Sequence, residues 1–472
     1  MKTLDAWQQG FIERSIILYH RVLTQRIKHA IILQSENEVY MSDVIKQPNY
    51  MSTEEVAGTF QDFYLSKGFH LVKDSGVIPQ DDPTLLFINS GMAPLKPYFT
   101  GQQQPPHNLL TNIQNCIRTG DIDDIGDSYH GTSFNMMGSW LFGPMFSKER
   151  STELAHELIT GGFGLDNTRL FASVLDNSAI DRGIPADTES ITAWRRFMPE
   201  DRVIPLPAVD NLWGPPGDSG PCGPCTEVFY DRGKAYEESN DTKSALQKDR
   251  HIEIWNAGVF MEYHMDKDGT VTPLPSKSVD GGAGLERFAM VLQDAPSIHQ
   301  IDRWLPVYDT IRPDVSDDRS ARIIADHLKT SEILAQSGVR PGNKMASYIL
   351  RRLLRKTMGV MVQEGIDLSR IKDYQSAVQA QLPSIPGAVV SRQDSAAIFS
   401  TEEAAFAKVL ARSEKLLAPY LERGKISGEA VHTLHATHGV PVDLVREACH
   451  RNGLAFPEAE YKAVIPNHTR ES

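Results

Sequence analysis

The feature that most limits the fold is a change of rhythm along the chain. After a helix-start signal at Ser52-Thr53-Glu54-Glu55 and apolar residues at Val56, Phe60, Phe63 and Tyr64, short strand-like runs follow one another to about residue 300, broken by glycine and proline. From about Ser320 to Gly365 the spacing turns helical. A polar, proline-bearing bridge at 384–394 leads into another helical stretch, Ala396–Leu421, and a small final unit opens at Gly428. Strands first and helices afterwards predict an α+β protein with a helical C-terminal domain, not alternating βαβ units. Residues 1–50 read as a helical extension, with Ile12, Ile16, Tyr19, Val22 and Leu23 at helical spacing. Asp5, Glu13 and only a short apolar stretch at 31–33 do not suit a secretory signal.

Composition narrows the class. The 472 residues, 40% apolar and 23% charged, suit a soluble globular chain of two to four domains. No apolar run reaches the ~18 residues of a membrane span, so no membrane association is expected. A net charge of −13 argues against a surface that is basic throughout, while leaving room for a local basic patch. Four cysteines, Cys116, Cys222, Cys225 and Cys449, are too few for a disulfide scaffold of this size and predict the cytoplasm.

There is no G-x-x-x-x-G-K-[ST] loop and no strand-anchored G-x-G-x-x-G, so a nucleotide would have to be held by side chains on a sheet. Four segments suit that task. Asp82–Met92 reads as a buried strand ending in a glycine turn, with Lys96 just beyond. Next, Arg118 precedes an acidic loop and the aromatic run holding Phe134 and Met136. A guanidinium there suits the α-phosphate, and an aromatic face suits adenine. The third segment is Trp213 followed by Gly220–Glu227 with its C-x-x-C. A four-ligand zinc site needs two more ligands, so a proline-stiffened wall with buried thiols is the plainer reading, and no metal site is expected there. The same holds for His432, His435 and His438, which helical spacing alone produces. The fourth segment is Glu253–Asn256 with Asp280-Gly281-Gly282-Ala283-Gly284 and then Glu286-Arg287, where small residues allow a backbone to approach a ligand.

In this order and spacing the four segments resemble alanyl-tRNA synthetase, a class II aminoacyl-tRNA synthetase. The resemblance extends over residues 51–466 and includes Arg322–Arg355 and the stretch from Gly428 to Leu444. It implies a class II antiparallel sheet with flanking helices over 51–310, followed by a helical tRNA-recognition-like domain over 311–472. It also implies a ligase that uses ATP and Mg²⁺ to activate L-alanine or a similar small amino acid. By that likeness Arg118 neutralises the α-phosphate and Arg287 packs on adenine opposite Phe134, with Met136 as a further ATP contact and Glu227 as an ATP or Mg²⁺ contact. Asp280 holds the substrate ammonium, and Trp213, Asn256 and Gly282 shape the amino-acid pocket. Asn343, Arg352 and Arg355 fall where the acceptor is recognised.

Departures from the family pattern bear on the acceptor. After Arg118 a family Gly-Lys-His-Asn stretch is replaced by Thr119-Gly120-Asp121-Ile122-Asp123-Asp124, so a lysine and a histidine are missing from that place. Asn135 stands for the family's glutamate and Gly281 for its threonine. Ala436 stands where the family reads the acceptor-stem wobble pair with an aspartate. No editing-domain zinc ligands follow, although a small pocket rejects glycine or serine by only ~1–3 kcal/mol. The expectation is therefore an acceptor other than tRNA, a small metabolite or a carrier protein. A minimal tRNA-charging enzyme and a non-catalytic binding protein are the alternatives. The basic run Arg351, Arg352, Arg355 and Lys356 either touches phosphates or pairs within the protein.

Overall fold

The computed structural model describes residues 50–464 apart from 81, 83–84, 237–245, 247–248, 439 and 441. The extension expected over 1–50 lies outside the described residues except for Tyr50.

Helix α1 (Thr53–Ser66) begins where the capping signal places it. The Ser52 hydroxyl accepts the Glu55 N–H and the Glu55 carboxylate accepts the Ser52 N–H, so two orphan donors of the first turn are satisfied reciprocally. Its buried face, Val56, Phe60 and Tyr64, packs on the sheet, with the Phe60 ring 6.0 Å from that of Trp255.

The sheet has nine strands. Antiparallel pairing runs through its middle in the order β2 (Leu109–Ile117), β3 (Ser133–Phe142), β9 (Val271–Gly284), β8 (His251–Met265), β7 (Gly220–Asp231) and β4 (Leu170–Leu175). A wholly antiparallel sheet was the expectation, and both edges depart from it. β1 (His70–Leu71) pairs β2 in parallel and β5 (Val203–Leu206) pairs β4 in parallel. Parallel neighbours need a crossover, and residues 72–108 and 176–202 supply the two. β6 (Leu212–Trp213) adds to β7. The strands that matter most are long rather than short: β7, β8 and β9 have 12, 15 and 14 residues. Pro221 and Pro224 sit inside β7 because its register shifts between Cys222 and Cys225, and a bulge tolerates a missing donor.

Residues 85–92 form no strand, contrary to the reading of Asp82–Met92. Ile88 makes isolated backbone bonds instead, donating to the Val77 carbonyl and accepting from Ile117 N–H. Two scattered bonds hold the segment without a ladder, and buried Phe87 and Ile88 anchor it in the core.

Beyond the sheet come α2 (Leu285–Leu292), α3 (Asp318–Gln336), α4 (Met345–Gln363), α5 (Ile371–Gln381), α6 (Arg392–Glu422), α7 (Gly428–Ala436), α8 (Val442–Arg451) and α9 (Glu458–Val464). One apolar cluster runs from Val56 through the sheet into α3–α6 and crosses residue 310 without a break. A separate cluster holds the last helices together around Leu417, Val431, Leu434, Val445 and Cys449. Among the described residues no helix is long and apolar enough to cross a membrane.

Candidate active site

A cavity of about 610 Å³ opens on the face of the sheet, and nine residues singled out above for ATP and amino-acid contacts all line it. Strand alternation explains how. Phe134 and Met136 project from one face of β3, Asp280 and Gly282 from the same face of β9, and Glu227 and Asn256 lie opposite one another on β7 and β8. Asn256 also faces Gly282 in the ladder. Trp213 closes one wall from β6. Arg118 follows the last residue of β2, and Arg287 comes from the first turn of α2.

Burial sets the charge state of the acids. Loss of hydration pushes the Asp280 carboxyl up to about 6, and a 2.7 Å hydrogen bond from the Trp140 indole N–H pulls it part of the way back. Trp140 is fully buried and reaches Asp280 because Gly138 leaves room: a Cβ at residue 138 would lie 2.4 Å from the indole ring. Burial, and then the neighbouring Glu253 charge, hold the Glu227 carboxyl well above the usual carboxylate range. Its Oε2 is buried without a hydrogen-bond partner, as is Asn256 Oδ1.

The two arginines are already engaged. The Arg287 guanidinium donates to the Glu253 carbonyl at 2.9 Å and to its carboxylate at 3.0 Å, and sits 5.4 Å from the Tyr129 ring centre. Arg118 lies 5.0 Å from the Phe134 ring centre and donates from Nε to the Asn89 carbonyl. Arg118 and Phe134, given separate tasks above, are thus in contact with each other. Behind this wall, helix α3 grips the start of β3. Asp326 Oδ1 accepts the Thr132 N–H at 2.9 Å, and Lys329 Nζ donates to the Ser133 carbonyl at 2.6 Å. Against the cost of burial, His327, Lys329 and His299 keep the Asp326 carboxyl down at about 2.

The matching family is tRNA synthetases class II (A), over residues 55–472. This chain belongs to it. The alanine–tRNA ligase of Rubrobacter xylanophilus is 33% identical over 437 residues, which is 88% of this chain and 49% of that protein. The alanine–tRNA ligase of Mycobacterium tuberculosis is 36% identical over 452 residues, 89% of this chain and 48% of that one. The chain therefore spans about half the length of the curated relatives it matches. A solved pyrrolysyl-tRNA synthetase of Desulfitobacterium hafniense aligns with 59% of this chain and 82% of its own at 13% identity, with a TM-score of 0.33, a likeness too loose to discriminate between folds.

Several class II family departures now have a place. Gly281 sits close under Ser139, whose Oγ would lie 2.8 Å and carbonyl oxygen 3.2 Å from a Cβ at that position. Asn135 is not among the residues lining the cavity; it bonds Asn115 through Nδ2 while its N–H donates to Glu286. The acidic loop does not leave the cavity without a histidine. His130, from the loop's return side, lines it beside Tyr129 and Asp121. Sequence reading missed Tyr129 and His130; the available signal was Asp127, three residues before His130 and paired with it at 2.5 Å. Burial raises the Cys222 thiol to about 11 and holds Cys225 well above its ordinary value, and both are buried in β7.

Asn343, Arg352 and Arg355 lie outside the cavity. Arg352 and Lys356 each reach Asp123 at 2.9 Å, and Lys356 also donates to the Ile122 carbonyl. Arg355 pairs with buried Glu402 at 2.7 Å, with Arg351 3.5 Å from the same carboxylate. Arg351 in turn donates to Asn343 Oδ1.

Proposed function

We propose that the chain activates L-alanine with ATP to the aminoacyl-adenylate and passes the alanyl group to an acceptor other than tRNA, a small metabolite or a carrier protein. The observation that carries the activation step is the convergence of the nine cavity residues from strands far apart in sequence. Alanine's carboxylate attacks the α-phosphorus, the new C–O–P link forms, and pyrophosphate leaves. Arg118 neutralises charge growing on the α-phosphate, and Phe134 and Arg287 hold adenine between them, with Met136 lining the same face. Asp280 takes the ammonium. Trp213, Asn256 and Gly282 leave space for little beyond a methyl group. No strong base is needed, because the step is governed by orientation and charge stabilisation.

Glu227 and Glu253 fit Mg²⁺. They offer hard oxygen donors, one carboxylate oxygen is buried without a partner, and Mg²⁺ takes one or two carboxylates together with substrate phosphates. When bound there, Mg²⁺ supplies charge neutralisation at the phosphates.

The acceptor half rests on α4. Phosphate contacts need available cations and base choice needs available polar groups. Arg352, Lys356, Arg355 and Asn343 are already partnered inside the protein. The competing reading, a tRNA-charging enzyme, is favoured by the names of the relatives and by the presence of Asn343. The test is alanine-dependent ATP–pyrophosphate exchange beside aminoacylation of alanine tRNA, on one preparation. Exchange without matching charging is expected. Charging that keeps pace with exchange and collapses when the acceptor-stem wobble pair is changed would establish the tRNA reading, and no exchange with any small amino acid would leave only a binding protein.

A further inference from the structure

One pair of side chains in the cavity has no task in adenylate formation. His130 lines the cavity, and its Nδ1 lies 2.5 Å from Asp127 Oδ2. The other oxygen of Asp127 accepts the backbone N–H groups of Tyr129 and His130 at 3.2 and 2.8 Å. The carboxylate is therefore fixed by its own turn, and it fixes the ring. With Nδ1 turned to an anion, the ring proton sits on Nδ1 and Nε2 becomes the basic atom. A carboxylate–imidazole pair of this kind is a proton acceptor. The first half-reaction, attack by a carboxylate already ionised, does not need one. The second half-reaction does, because an acceptor that attacks the adenylate must shed a proton.

The charge around the pair bears on what the acceptor is. The charges that act most on His130 are Asp127 and Asp121 on one side and Arg287 on the other, with the Tyr129 ring 4.6 Å away. Asp121 lines the same cavity, in the stretch where the family pattern has a lysine and a histidine. Arg287 is already held by Glu253. A phosphate-bearing acceptor would meet a carboxylate here, whereas an ammonium would be drawn in. Asp121, Tyr129 and His130 line the same cavity as Asp280 and Phe134, so the pair opens on the space of the proposed activation step and not on a solvated acidic surface.

We propose that His130, oriented by Asp127, is the general base that transfers the aminoacyl group to a small primary amine attracted by Asp121. This deepens the activation reading above and rests on it. The amine, drawn in as its ammonium, gives that proton to solvent water and attacks in its neutral form at the carbonyl carbon of the aminoacyl-adenylate. A C–N bond forms, the C–O bond to phosphate breaks, and AMP leaves with the electron pair. The proton lost by nitrogen as it becomes an amide passes to His130 Nε2. The hydrogen bond to Asp127 raises the His130 pKa above its ordinary value, against burial and Arg287, which makes the ring a stronger base.

The experiment uses the whole chain with ATP, Mg²⁺, L-alanine and 1,5-diaminopentane as probe, with 1,5-pentanediol as the hydroxyl control. It reads AMP release, the alanylated product by mass spectrometry, and pyrophosphate exchange on the same preparation. The expected result is amide from the diamine at least tenfold faster than ester from the diol. His130→Gln should lower transfer relative to exchange by about 100-fold. Asp127→Asn should move the acid limb of transfer to lower pH, because the imidazole loses the partner that raises its pKa and stays neutral further down. A role confined to supporting the loop would not move that limb. Exchange without amide, ester as fast as amide, or transfer and exchange falling together in the His130 variant would overturn the dyad. Absence of exchange in the unaltered protein would overturn the activation reading itself.

Discussion

In the cavity, Glu227 Oε2 and Asn256 Oδ1 are buried with nothing to bond; on α4, Arg352, Lys356 and Arg355 all end on carboxylates, and Arg351 lies beside one. The contrast lies in the charged ends: the α4 cations meet carboxylates, whereas the Glu227 carboxylate keeps one oxygen without a bond. A buried polar atom without a partner costs about 1–3 kcal/mol, a cost that makes sense where a ligand later supplies the bond. A cation held by a carboxylate has its bond already and serves the protein's own packing. Unmet valence is not confined to the cavity, since Arg351 Nε and Thr357 Oγ1 on α4 are also buried without a partner; what sets the cavity apart is that its unpartnered oxygens sit among side chains converging on one open space.

The largest effect expected from this contrast is at Asp280. Asp280→Asn removes the charge that pairs with the substrate ammonium in a partly dry pocket, and truncated pairs of that kind cost about 2–5 kcal/mol. Alanine-dependent exchange should fall at least about thirtyfold, with the protein still folded by circular dichroism. Near-normal exchange would mean that the ammonium sits elsewhere.

Next comes pH. With its carboxyl raised to about 6, Asp280 is protonated in the free protein below that value, and only the ionised form attracts an ammonium. The KM for alanine in exchange should therefore climb as pH falls through about 6, by up to tenfold per pH unit. A KM that stays level between pH 5 and 7.5 would refute this, and Asp280→Asn should abolish the dependence.

On α4 the expected effects are on stability instead. Glu402 is buried and meets two arginines, so Glu402→Gln should cost about 1–3 kcal/mol in urea unfolding. Exchange by the folded fraction should stay within about threefold. A large loss of exchange with unchanged stability would show that α4 belongs to the chemistry after all.

The smallest effect is at Asp123, whose side chain is 72% exposed. Asp123→Asn should cost less than about 1 kcal/mol, yet it releases Arg352 and Lys356. Binding of tRNA at low salt should rise, with a slope against log salt steeper by the equivalent of roughly one or two phosphate contacts. If binding does not change, the pairing with Asp123 is not what keeps nucleic acid away.

Much of this was legible in the residues because the signals were local. The capping box at Ser52 and Glu55, the helical spacing behind α3, α4 and α6, and the three segments that carry Arg118, Trp213 and Asp280 each depend on neighbours a few positions apart. What escaped depends on distance. Arg352 meets Asp123 across 229 residues, and nothing near either one announces the other. β7 was hard to foresee because Gly220–Cys225 is rich in residues that usually interrupt strands, and a bulge on β8 accommodates them. The segment before Met92 misled in the opposite direction: its apolar content reflects burial, and burial alone does not require a ladder. His130 was overlooked because a shortened loop drew attention to what was missing, not to what the return strand brings in.

The grip of α3 on the start of β3 has a consequence for how this protein can be divided. Thr132 N–H and the Ser133 carbonyl stand just before Phe134 and Met136, and both find their partners on α3, at Asp326 and Lys329. A gene fragment cut at residue 310 would contain all nine cavity residues and still lose the far side of their wall. In any recombination or gene duplication that preserves the cavity, sheet and helices have to be inherited as one piece.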